Sequence, residues 1–126
     1  MSHYPILIKR IYISADPGDG YRILVDRLWP RGLSKERARL DEWDKGVAPT
    51  SSLRVWFGHQ PERFLKFSEA YQKELNGNVE AHDFVARCWN LLEKSPVTLV
   101  YGAKDQEHNH ALVLQHWLRE QLQKEE

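Results

Sequence analysis

Tyr21-Arg22-Ile23-Leu24-Val25-Asp26-Arg27-Leu28-Trp29-Pro30-Arg31-Gly32 joins a strand-like apolar run to a charged loop, a junction typical of α/β folds. Residues 21–25 have the β-branched and aliphatic character of a buried strand, and a charged loop stiffened by Trp29-Pro30 follows at once. In open α/β sheets, ligands bind beyond the carboxyl ends of the strands. Asp26, Arg27 and Arg31 therefore occupy a position where chemistry is commonly placed. A second junction of the same kind lies at Val97-Thr98-Leu99-Val100-Tyr101-Gly102-Ala103-Lys104-Asp105, followed by Glu107-His108-Asn109-His110. The two junctions are expected to face one cleft.

Upstream of this stretch, Ile6 to Ile13 is strand-like, and Ser14 to Gly20 is dense in turn residues. That connection has no room for a crossover helix, so the first two strands either pair antiparallel or share a sheet without being neighbours. Ser34 is placed to cap a short helix through Leu40, and Asp41 to Lys45 either extends it or forms a short strand. Thr50 or Ser51 caps a helix carrying Leu53, Val55, Trp56 and Phe57, which Gly58 stops. Pro61 opens a helix with Phe64, Phe67, Tyr71 and Leu75 on one stripe, ended by Asn76-Gly77-Asn78. Glu80 to about Lys94 forms another, with Phe84, Val85, Cys88, Leu91 and Leu92 inward. Val97 to Tyr101 is almost continuously apolar, as expected of a strand covered on both faces. Asp105 is the expected cap of the last helix, whose inner face is Ala111, Leu114, Leu118 and Leu122. These elements predict an α/β domain with a small, mainly parallel or mixed sheet and helices on both faces, in a Rossmann-like three-layer arrangement.

The 126 residues suit one domain spanning 1–126, burying roughly 65–70% of the surface of the unfolded chain. With 18 basic and 18 acidic residues the formal net charge is zero, so no global field draws the protein to nucleic acid or anionic lipid. The start, Met1 to Pro5, lacks the basic and apolar pattern of a leader, and no apolar run is long enough to span a membrane. A single cysteine, Cys88, on an amphipathic stretch reads as a buried hydrophobe and fits a cytoplasmic setting.

Arg27 and Arg31, four residues apart across the stiff dipeptide, are expected to bind a phosphate or carboxylate, joined by Trp29, Tyr101 and Lys104. The competing reading pairs Arg27 with a carboxylate such as Asp26, Asp41 or Glu42. Asp26, His108 and His110 are the candidate acid–base groups. His108 and His110 lie two apart, which on a helix turns them about 200° from each other, so no metal site is expected of them. No nucleotide-binding or nucleophile-elbow motif occurs, and no cofactor is expected. The resulting expectation is a cytoplasmic protein that binds a small anionic ligand, with catalysis left open. The alternative is a nucleic-acid-binding or protein-interaction module using Trp29 with Arg27, Arg31, Arg37 and Arg39.

Over nearly its whole length the chain resembles the domain of unknown function 488 family, in its YeaO-like bacterial branch. The resemblance rests on residues 19–34, on Leu40-Asp41-Glu42-Trp43, on Ala48-Pro49-Thr50 with residues 53–59, and on residues 97–105. It implies a Rossmann-like α/β domain with no established reaction. The broader family carries an Asp-Val-Arg element, matched here by Asp26-Arg27, and a Cys-His-Arg element near its last helix. The latter falls on Asn109-His110-Ala111, which keeps the histidine and lacks the cysteine and the arginine.

Overall fold

The computed structural model of the protein describes residues 3–125; Met1 and Ser2, part of the segment read for a leader, lie outside them. Four strands form one parallel sheet: β1 (Ile6–Arg10), β2 (Tyr21–Leu24), β3 (Glu42–Trp43) and β4 (Val97–Tyr101), in the order β1-β4-β2-β3. Around it lie α1 (Lys35–Ala38), α2 (Ser51–Phe57), α3 (Phe64–Asn76), α4 (Val79–Leu91) and α5 (His110–Glu125). The α/β class expected from the sequence is the one found. No described helix is long and apolar enough to cross a membrane.

Because β4 enters between β1 and β2, pairing with both, the first two strands share a sheet without being neighbours. The pleat then sorts side chains into two faces. Val97, Leu99, Tyr101, Ile23 and Val25 join the main core with Phe67, Tyr71, Phe84, Cys88, Leu114 and Trp117 from α3, α4 and α5. On the opposite face Leu24 and Val100 pack with Ile11 and with Ala38 of α1, under Trp29, Leu33, Leu40 and Trp43. The connection from β1 to β2 anchors there as well. Asp19, 5% exposed, takes charged hydrogen bonds from Lys9 at 2.8 Å and Arg22 at 2.6 Å, while its carbonyl accepts from Thr98 Oγ1 at 2.6 Å.

Local signals set most boundaries. Ser34 caps α1, but Arg39 adopts a left-handed φ of 48° and ends the helix before Leu40. Of the two readings of residues 41–45, the strand is the one found, pairing Glu42 and Trp43 with Ile23 and Leu24. Thr50 caps α2 and Gly58, at φ 52°, closes it. Pro61 opens a 3-10 turn, Pro61–Arg63, that leads into α3. Asp105 does not cap the last helix. Its Oδ1 is taken by the N–H groups of Glu107 and His108 in a local turn, and Asn109 caps α5 by accepting from Leu112 N.

Candidate functional site

Parallel strands put their carboxyl ends on one side of the sheet, and the two junctions meet there in a cleft of about 910 Å³. The segment after β2 contributes Asp26 to Arg31, and the segment after β4 contributes Gly102 to Asp105. Phe57 and Phe67 line it from the helical layer, their rings stacked at 4.3 Å.

Asp26 lies just past β2 and is fixed from three directions. Its carbonyl accepts from Trp43 Nε1 at 2.7 Å, and its Oδ2 accepts from Gly102 N at 2.9 Å. Its Oδ1 faces His110 Nε2 at 2.8 Å, a charged pair only when the imidazole is protonated. The approach is not aligned as a hydrogen bond, so both buried atoms lack any hydrogen-bond partner. A carboxylate and an imidazole from opposite ends of the chain are thus held in contact at the cleft wall.

Arg27 lies against the backbone of residues 48–49, its Nε donating to Pro49 O at 3.1 Å and Nη2 to Ala48 O at 3.4 Å. Carbonyls orient a guanidinium without neutralising it. The competing ion-pair reading does not hold: among the described residues no carboxylate lies within 4.0 Å of Arg27, Arg31, Arg54 or Lys104, all of which line the cleft. Glu42 and Asp44 are taken by Arg87 outside the cleft, and Asp41 accepts from Arg22 N. Arg10 also faces the cleft, donating to Ala103 O at 2.9 Å and covering the Tyr12 ring at 4.6 Å, while the Tyr12 hydroxyl donates to Arg31 O at 2.8 Å. Arg10 and Tyr12 thereby tie the end of β1 to both junction loops.

The other expected residues divide. Trp29 lines the cleft half-buried, its indole N–H donating to Leu33 O at 2.7 Å and its ring edge-on to Trp43 at 5.4 Å. His108 is not brought to the cleft. Its Nδ1 meets Asp105 Oδ2 at 2.9 Å and its ring meets Phe64 edge-on at 5.3 Å. The Asp105 carboxyl is held below its ordinary value first by the Glu107 N–H, with His108 adding to it. Tyr101 is in the main core, 2% exposed, where burial pushes its hydroxyl upward. Among the described residues no group of three His, Cys, Asp or Glu side chains is arranged to hold a metal ion. Cys88 is fully buried, and burial pushes its thiol up to about 12.

Arg10, Tyr12 and Arg54 carried no signal in the sequence. Arg10 and Tyr12 reach the cleft only because β1 pairs with β4, and Arg54 only because α2 faces the carboxyl ends of the strands. His59 gave a local hint through Gly58-His59: both residues are left-handed, with φ 52° and 57°, and this turn sets His59 in the cleft lining.

The chain matches the family model described as the inactive DUF488-N3 subclade over residues 5–126. The protein belongs to that family. It is 46% identical to the uncharacterized protein YeaO of Escherichia coli over 114 residues, covering 90% of this chain and 96% of YeaO. It is 41% identical to the uncharacterized protein Rv3073c of Mycobacterium tuberculosis over 109 residues, covering 86% and 89% of the two chains. No solved structure matches. In this DUF488 chain, Asn109, at the position expected for the wider family's cysteine, caps α5 and donates to Asp105 O at 2.9 Å. Ala111, at the expected arginine, is fully buried in the main core.

Proposed function

We propose that this DUF488 protein binds a small phosphate- or carboxylate-bearing anion in the cleft at the carboxyl ends of its strands, as a binding protein in the cytoplasm. One observation carries the reading: Arg27, Arg31, Arg54 and Lys104 line a single cleft with no carboxylate partner among the described residues. Guanidinium groups left without a carboxylate gain most from an anion that accepts paired hydrogen bonds. Arg27 and Arg31 are the first contacts, Lys104 and Arg54 supply charge from the facing elements, Trp29 is a wall, and Asp26 with His110 forms a shielded polar edge.

Binding without turnover accords with the description of the subclade as inactive and with the use of Asn109 as a helix cap. It also accords with the burial of the one thiol. The nucleic-acid alternative has less support, since Arg37 and Arg39 do not line the cleft with Trp29.

The test is thermal unfolding with phosphate, sulfate and small carboxylates, on the natural protein and on Arg27→Ala and Arg87→Ala. An anion at 100 times its Kd adds about 2.7 kcal/mol. The shift should persist in Arg87→Ala and vanish in Arg27→Ala. A shift that survives in Arg27→Ala, or none from any anion, removes the reading. A steep loss of binding to single-stranded oligonucleotides with rising salt, absent from the small anions, would favour the alternative.

A further inference from the structure

The cleft holds more apolar surface than an inorganic anion could use. Its volume of about 910 Å³ is near the upper end of sites that enclose whole organic ligands, roughly 300–1,000 Å³. Besides its cations it is lined by the rings of Tyr12, Trp29, Phe57 and Phe67, and by Leu28 and Pro30. Two of these stand open to water: Leu28 is 62% exposed and Tyr12 41%. Leu28 lies between Arg27 and Trp29, both held by hydrogen bonds to backbone carbonyls, so its exposure follows from the backbone course of the cleft rim. Tyr12 cannot fold inward, because its hydroxyl is held by Arg31 O and its ring is covered by Arg10.

Exposed apolar side chains beside cations that have no carboxylate partner among the described residues are the complement of a molecule that is apolar over its body and anionic at one end. Aromatic walls prefer a flat body, which stacks or meets them edge-on. We infer that the ligand is an aryl anion, a flat aromatic body carrying one phosphate or carboxylate group, with its charge at Arg27 and its body against Leu28 and the Tyr12 and Phe57 rings. The inference rests on the anion-binding reading above and narrows it to a ligand class.

Four probes separate the two: inorganic phosphate, 1-naphthyl phosphate, 1-naphthoate and neutral 1-naphthol, titrated calorimetrically into the natural protein, Arg27→Ala and Leu28→Ser. Leu28 is exposed, so Leu28→Ser leaves the fold intact. At least one naphthyl anion should bind ten-fold or more tighter than inorganic phosphate and than 1-naphthol, and the better of the two assigns phosphate or carboxylate. Leu28→Ser should weaken that probe at least three-fold without changing phosphate, whereas Arg27→Ala should weaken both. Equal affinity for phosphate and the naphthyl anions overturns the aryl class and leaves the anion site standing. Naphthol binding as tightly as the naphthyl anions overturns the anion site itself. Absence of binding by all four overturns both.

Discussion

Asp26 Oδ1 and His110 Nε2 stand 2.8 Å apart, joining the end of β2 to the first turn of α5 across 84 residues of chain. Each atom is buried and neither has a hydrogen-bond partner. Their side chains are 18% and 16% exposed, so water replaces neither partner fully if the other is removed.

Removing the imidazole should therefore cost more than a surface substitution. His110→Ala removes the packing of a half-buried ring and the neighbour of a shielded carboxylate oxygen, a loss of about 1 kcal/mol. Urea unfolding of Asp26→Ala, His110→Ala and the double variant gives the coupling between them. The double variant should fall short of the sum of the two single losses by about 0.5 kcal/mol or more. Strict additivity would show that the two groups merely pass close to each other.

Asp19 ties the β1–β2 connection to the sheet. Burial raises the pKa of its carboxyl, but Lys9, the Asp16 N–H and Arg22 outweigh that and hold it below the ordinary value of 3.8. A carboxyl depressed in the folded state contributes its full stability above its unfolded pKa, and the contribution is lost as pH falls through the folded value. The protein should lose stability below about pH 4, and Asp19→Asn should flatten that limb while costing on the order of 3 kcal/mol at neutral pH. Thermal melts from pH 2 to 7 decide it. An acid limb of unchanged slope in Asp19→Asn assigns it to other carboxylates.

Gly20 and Gly32 both have a positive φ, of 65° and 71°, yet their surroundings differ. A Cβ at Gly20 would meet the Pro96 carbonyl oxygen at 2.1 Å, where Tyr21 N bonds that same oxygen, whereas at Gly32 it meets nothing within 4 Å. Both alanine variants bear a conformational cost of about 1 kcal/mol or more. Gly20→Ala must in addition push the chain away from β4, so its loss should exceed that of Gly32→Ala by about 1 kcal/mol or more. Comparable unfolding midpoints would mean that the connection yields without disturbing the sheet.

Much of this molecule follows from short-range chemistry. The apolar run from Val97 to Tyr101, the stripe of Phe67, Tyr71 and Leu75, the Thr50 cap and the Gly58 stop depend on neighbours within one or two turns. A local signal of that kind is complete in the sequence. It also placed Asp26 and Gly102 just past their strands, which is why the two junctions of the cleft were legible. The start of the last helix was misread because Asp105 and Asn109 are both good caps four residues apart. Only the side chain of Asn109, bonded at once to Asp105 O and Leu112 N, selects the later one.

Most element types, the α/β class and the family were legible in the sequence, since each depends on periodicity, turn chemistry or long motifs; residues 41–45 stayed open between helix and strand until β3 paired with β2. The tertiary structure alone decided that β4 lies between β1 and β2, and with that insertion came Arg10, Tyr12 and the Asp19 cluster. It alone turned His110 toward Asp26 and His108 toward Asp105, and buried Tyr101 while leaving Lys104 in the cleft. Strand order and side-chain direction arise from contacts between residues tens of positions apart, whose energies have no trace in the local pattern of either partner.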